Sequence, residues 1–218
     1  VESKQLAHTA QQPAPVEPPP NDPAPPAIVA TIAAASPDSA TPSNTAPAST
    51  VDVIVPIYRS LSDTRICIES VLASTNRTPY RLILINDASP EPDLNAWLRD
   101  KAAQEPRIML LENPTNLGFV GTVNRGMALT KDHDVLLLNS DTEVANDWLD
   151  RLYNAAYSSA NVATFTPFSN NATICSYPQF CSDNPLPSNY ITAQLHALSP
   201  QINPGAVADI TTGAGFFN

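Results

Sequence analysis

The sequence predicts an α/β fold, a doubly wound and mostly parallel sheet preceded by a disordered segment. Three observations predict it. First, apolar runs recur at "VDVIVPIY" (51–58), "RLILIND" (81–87), "RIMLLEN" (107–113), "DVLLLNSD" (134–141) and "VATFTPF" (162–168). They are near-continuous rather than alternating, which suits strands covered by helices on both faces. Second, helix-like segments separate these runs with short connections, the pattern that builds a parallel sheet through crossover helices. Third, composition switches abruptly at Val51.

Residues 1–50, including "QQPAPVEPPPNDPAPPA" and "SPDSATPSNTAPAST", are rich in Pro, Ala, Ser and Thr. They hold too little apolar surface to offset the entropy of ordering, so they read as a semi-extended, disordered linker. The expected organisation is therefore a linker over 1–50 and one domain over 51–218. A linker implies a partner domain upstream, and a chain opening on Val1 reads as a piece of something longer.

Within the domain, "VDVIVPIY" is β-branched and apolar. "SLSDTRICIESVLAS" (60–74) opens with Ser60 and Asp63 in capping-box spacing, and Cys67/Val71 and Ile68/Leu72 stand four apart. "PEPDLNAWLRDKAA" (90–103) begins with prolines, which a first helical turn tolerates. "GFVGTVNRGMALTK" (118–131) and "ANDWLDRLYNAAYS" (145–158) complete the helical series. Beyond residue 168 the pattern is less regular.

Net charge is −10 over 218 residues, with no Lys/Arg cluster to neutralise phosphate backbones, so no nucleic-acid partner is expected. Cys67, Cys175 and Cys181 are odd in number and lack metal-ligand spacing, so free thiols in a reducing compartment are expected. The sequons at Asn76 and Asn171 read as chance matches without a secretion signal. No apolar run reaches 18 residues, so no membrane span is expected in this chain.

In an open parallel sheet, ligands bind outside the carboxyl ends of the strands. Those ends carry Pro56, Tyr58 and Arg59; Asn86, Asp87, Ala88 and Ser89; Asn113, Asn116, Leu117 and Gly118; then Asn139, Ser140, Asp141 and Glu143. Each group also has a plain structural explanation. Asp87 and Ser89 suit a helix cap, Gly118 suits a turn with positive φ, Asp141 suits a cap for a helix at Ala145, and Tyr58 suits wall packing. Their coincidence at one edge favours a site. An extended chain places Asn139, Asp141 and Glu143 on one face, where hard oxygens can bind Mg²⁺ or Mn²⁺ with a diphosphate. The Walker lysine motif and G-x-G-x-x-G are both missing, which removes the P-loop and dinucleotide readings.

Taken in order, "VDVIVPIY", "LILINDASPEP", "NPTNLGFVGTVNRGM" and "DVLLLNSDTEVANDWLDRL" resemble the successive motifs of family 2 glycosyltransferases, over about residues 51–218. The nearest branch is rhamnosyltransferase-like, that of cell-surface polysaccharide synthesis. The resemblance implies the GT-A, Rossmann-like fold and an inverting transfer from a UDP- or dTDP-linked donor to a glycan or lipid-linked hydroxyl. It implies that Pro56 and Tyr58 line the base and ribose and that Asp87 hydrogen-bonds the base. Asn116 and Gly118, with Asn124 and Arg125, take the nucleotide-side motif. Asn139, Ser140 and Asp141 occupy the D-x-D position, with Asn139 replacing its first acid, Asp141 as the metal ligand for Mg²⁺ or Mn²⁺, and Glu143 a weaker candidate. "TPFSNNATICSYP" (166–178) and "DITTGAGFFN" (209–218) resemble segments on the sugar or acceptor side. The family's catalytic base belongs to a later acidic motif, expected beyond Asn218. Glu143 is on the donor side, Asp209 precedes a turn, and His133 and His196 read as surface or packing residues. The implied location is cytoplasmic, with a peripheral place at the inner membrane face left open.

Two rivals stand beside this reading. A non-catalytic nucleotide-sugar-binding module, tethered by the linker, would lack an acidic motif downstream. A nucleotidyltransferase would want a Gly-rich, basic loop after the first strand, and "PIYRSLSD" has neither glycine nor lysine.

Overall fold

The computed structural model describes residues 49–158, 162–171, 175–179, 181–202 and 216–217. The chain divides into two units, Val1–Ser43 and Asn44–Asn218, and every described residue belongs to the second. The expected linker lies outside the described residues except for Ser49 and Thr50, and so does most of 209–218.

The elements run β1 (Val51–Ile57), α1 (Leu61–Ala73), β2 (Tyr80–Asn86), α2 (Pro92–Gln104), β3 (Ile108–Glu112), α3 (Gly118–Met127), β4 (Asp134–Leu137), α4 (Trp148–Ala156), β5 (Thr164–Phe165), α5 (Thr192–Ile202) and β6 (Phe216–Phe217). The six strands order as β3-β2-β1-β4-β6-β5. β1 pairs in parallel with both β2 and β4, and β2 with β3. β6 runs antiparallel between β4 and β5. The α/β, doubly wound and mostly parallel class read from the sequence is the observed one.

The unbroken apolar runs have a direct cause. Alternate residues of one strand serve two different cores. Val51, Val53, Val55 and Ile57 join Cys67, Ile68, Leu94, Leu98 and Leu149, from α1, α2 and α4, on one face. Ile54, Ile83, Ile85 and Val135 form the other, with Met127 of α3 against them. Each such aliphatic side chain stabilises by roughly 1.5–3 kcal/mol when fully buried. α3 comes unusually close to this second face. A Cβ on Gly126 would meet Ile85 Cδ1 at 2.8 Å and Ile54 Cγ2 at 2.9 Å. Glycine stands there to allow that approach, not for its backbone freedom.

Three local expectations are corrected. Ser60 does cap α1, and its hydroxyl accepts from the Asp63 N–H at 3.4 Å. The reciprocal half of the capping box is supplied from elsewhere, because the Ser60 N–H donates to Glu91 Oε1. The helix after β2 is not capped by Asp87 or Ser89, since α2 starts at Pro92 with Glu91 at its cap position. The helix expected from 145 starts three residues later. Asn146 is held at φ 55°, its carbonyl accepting from the Thr75 N–H and its amide donating to the Ala193 carbonyl. That left-handed residue delays the helix to Trp148, with Asp147 at the cap, so Asp141 is not a helix cap.

At the edge where the strands begin, Asp52 is fully buried. Arg81 donates to both its oxygens, at 2.9 and 2.7 Å, and Thr130 donates at 3.0 Å. His133 Nδ1 lies 3.2 Å away, which gives His133 a packing and pairing role. Burial pushes the Asp52 carboxyl upward, but its hydrogen bonds from Arg81, His133 and Thr130 win and hold it below the usual carboxylate range.

Candidate functional site

The strand order reverses between β1 and β4, and a crevice opens where the two connections leave in opposite directions. There a cleft of about 370 Å³ is lined by Pro56, Ile57, Tyr58, Arg59 and Ser60 after β1, Asp63 of α1, Asp87 after β2, Phe119 and Thr122 of α3, and Asn139, Ser140 and Asp141 after β4.

Asp87 is the best-anchored member. Only 4% of its surface is exposed. Its Oδ1 accepts from the Asn113 amide at 2.7 Å and the Leu117 N–H at 2.8 Å, and its Oδ2 accepts from the Gly118 N–H at 2.9 Å. Burial alone would raise its pKa. The bonds from Leu117, Asn113, Thr122 and Gly118 outweigh it and keep the carboxyl below the usual range, hence ionised. The loop that supplies these N–H groups is itself preset. Asn116 Oδ1 accepts from the Gly118 N–H at 2.8 Å, an Asx-type turn, and Gly118 sits at φ 71° with open space around its Cα.

The end of β4 is arranged differently. The Asn139 carbonyl accepts from the Thr142 N–H at 3.2 Å and from Cys67 Sγ at 3.4 Å, which ties this turn to α1. Desolvation by burial pushes the Cys67 thiol up to about 12, so it stays a neutral donor. The Asp141 side chain is exposed and, among the described residues, makes no hydrogen bond or ion pair. Glu143 turns away from this task, accepting from Thr192 Oγ1 at 2.7 Å at the start of α5.

Of the sequence-derived candidates, Pro56, Tyr58, Asp87, Asn139, Ser140 and Asp141 are brought together, and Asn116, Gly118, Asn124 and Arg125 are not among the lining residues. Asn116 and Gly118 shape the loop that clasps Asp87. Arg125 donates to the Glu112 carbonyl at 2.9 Å and to the Asn113 side-chain oxygen, fastening α3 to the end of β3. Asn124 is exposed on α3. Sequence reading missed Asp63, Phe119 and Thr122. The signal available was helical spacing, since Phe119 and Thr122 lie three apart on the first turn of α3.

His196 is half-buried against Asn146, 3.1 Å from its amide, so it packs α5 onto the start of α4. The segment after β5 is held by Asn184, whose amide donates to the Asn170, Gln179 and Ser182 carbonyls at 3.0–3.1 Å. Cys67, Cys175 and Cys181 are free. Asn76 of the first sequon is committed internally, donating to Ser74 Oγ and accepting from the Leu149 N–H. No described helix is long and apolar enough to cross a membrane.

Fold and cleft together define a doubly wound α/β domain with a cleft at the topological switch point, lined in part by the exposed carboxylate of Asp141. The family profile "Glycosyl transferase family 2" matches residues 52–193, and the chain belongs to that family. Over 103 residues it is 28% identical to an uncharacterised protein of Sinorhizobium fredii, covering 47% of this chain and 11% of that one. An N-acetylglucosaminyltransferase of Azorhizobium caulinodans is also 28% identical over 103 residues, 47% of this chain and 26% of the relative. The matched stretch thus spans about a tenth and about a quarter of these two relatives. Among solved structures, a mannosyltransferase of Pyrobaculum calidifontis with GDP-Man and Mn²⁺ is similar at 17% identity and TM-score 0.47, over 56% of this chain and 35% of that one. S. aureus TarS with UDP-GlcNAc is similar at 19% identity and TM-score 0.43, over 50% and 31%.

Proposed function

We propose that the cleft binds the nucleotide-sugar donor of an inverting glycosyltransferase. The enzyme would move a sugar from a UDP- or dTDP-linked donor to a glycan or lipid-linked hydroxyl in cell-surface polysaccharide synthesis. The observation that carries this is the contrast within one cleft between Asp87, which is clasped and ionised, and Asp141, which is exposed and uncommitted. Asp87 suits recognition of a base N–H as an ionised acceptor in the cleft wall, with Pro56 and Tyr58 lining the base and ribose. Tyr58 is 40% exposed, so one large apolar surface is available for a planar ring. In this reading Asn116 and Gly118 support the site by fixing the loop after β3, and Arg125 by tying α3 to the end of β3.

The donor set fits a hard divalent cation in part. No cluster of three or more His, Cys, Asp or Glu exists among the described residues. Asp141 and Asn139 offer oxygens, and the diphosphate supplies others, the arrangement Mg²⁺ or Mn²⁺ accepts when it keeps several waters. Such a cation, when bound, supplies Lewis-acid stabilisation of the departing diphosphate. Asp141 holds negative charge at the cleft mouth for it, and Asn139 and Ser140 set the turn that points there.

Calorimetric titration of the chain with UDP and dTDP, with GDP as a third arm, tests the reading. Binding that strengthens with Mn²⁺ or Mg²⁺ is expected for the matching nucleotide, and Asp141→Ala should erase the metal-dependent part. No nucleoside diphosphate binding by the intact chain would sink the donor-site assignment.

A further inference from the structure

Arg59 is the only Lys, Arg or His among the residues lining the cleft, where it shares the wall with Asp63, Asp87 and Asp141. It is also distinct among the eight arginines of the chain. The other seven all donate to, or pair with, protein oxygens: Arg65 with Glu69, Arg77 with Asp150, Arg81 with Asp52, Arg99 with Glu112, Arg107 with Glu105, Arg151 with Asp147, and Arg125 with the Glu112 carbonyl. The Arg59 guanidinium has none among the described residues. Its one contact is the Tyr58 ring, 5.3 Å from Cζ to the ring centre. Acids outnumber bases 21 to 11 in this chain. An arginine left without an acid in that setting, and placed in a cleft, points to an anionic ligand.

We infer that Arg59 is the diphosphate-facing cation of the donor site, meeting the phosphates from the β1 side while Asp141 serves them from the β4 side. The inference rests on the donor-site reading above and extends it. A diphosphate entering a cleft with three carboxylates needs positive charge, and Asp141 is the single uncommitted acid there to recruit it. Asp87 is occupied by the loop after β3, and Asp63 accepts from Ser60 Oγ at 2.5 Å. A guanidinium fork presents paired N–H donors that match phosphate oxygens, and it keeps its charge at any working pH. Arg59 lies in the short connection between β1, which ends at Ile57, and Ser60, which caps α1 at φ 67°. A rival role for Arg59 is purely local, as a cation resting on the Tyr58 ring to steady a base-stacking surface.

Paired titrations separate the two roles. The full chain and its Arg59→Gln variant are titrated with UDP and with uridine, and with dTDP and thymidine, each in Mn²⁺ and again in EDTA. Arg59→Gln should weaken the diphosphate about tenfold, the scale of one charge-assisted contact, and leave the nucleoside affinity unchanged. The loss should persist in EDTA, and Arg59→Lys should recover part of it. Equal weakening of nucleotide and nucleoside would overturn the inference in favour of the ring-support role, and so would unchanged diphosphate affinity. Arg59→Glu serves as a second variant, expected to lose diphosphate binding while keeping the wild-type melting temperature and nucleoside affinity. A wild-type chain that binds neither diphosphate overturns the donor site itself, and this inference with it.

Discussion

At the edge of the sheet where the strands begin, Asp52 is fully buried and accepts from Arg81 and Thr130, with His133 within reach. At the opposite edge, Asp141 is exposed without a partner among the described residues, and Arg59 rests only on an aromatic ring. Both edges carry acids and an arginine. At one, the buried Asp52 carboxylate is answered inside the protein, and its partners hold the strands together. At the other, Asp141 and Arg59 have no hydrogen bond or ion pair among the described residues, which costs little in water and leaves them for a ligand. The difference teaches that where charge is left unsatisfied locates the site better than where charge is dense.

The comparison can be broken first at the buried edge. Arg81→Ala should strand the Asp52 carboxylate and destabilise by about 3 kcal/mol, read from urea unfolding. Destabilisation below about 1 kcal/mol would mean that Thr130 and His133 suffice. Next in size is Gly126→Ala, which drives a methyl into Ile54 and Ile85 and should cost about 1–3 kcal/mol by the same assay.

Acid sharpens the contrast. Asp52 and Asp87 both have folded-state pKa values held below the ordinary carboxylate value, so each contributes stability that is fully present above the unfolded pKa near 4. That contribution is lost as pH falls through the folded value. Unfolding monitored by circular dichroism should therefore steepen below about pH 4, and Asp87→Asn should flatten the curve there. An unchanged curve would remove Asp87 from the acid response. Smallest of all, Asp141→Ala should shift unfolding stability by under about 0.5 kcal/mol while changing metal-dependent nucleotide binding. A large stability loss would put Asp141 with the buried edge.

Four strands and the edge where the cleft opens were legible in the sequence because continuous apolar runs followed by polar clusters report a property of each segment alone. What was not legible depended on partners distant in the chain. Asp87 looked like a cap for the next helix. It is instead held by Leu117 and Gly118, some thirty residues on, which local spacing cannot show. The late start of α4 depends on Asn146 reaching Ala193. That the Arg125 guanidinium reaches the Glu112 carbonyl and the Asn113 side-chain oxygen is likewise not shown by local spacing. Asn139 to Asp141 were legible because three neighbouring residues share one strand end.

The division of β1 and β2 between two cores has an evolutionary consequence. The sheet works as a partition, and adjacent residues of one strand answer to different neighbours. Ile54 must co-vary with Gly126 and Ile85, whereas Val53, next to it in the chain, answers to the α1, α2 and α4 side. Sequence neighbours here should drift independently, while residues some seventy positions apart change in concert.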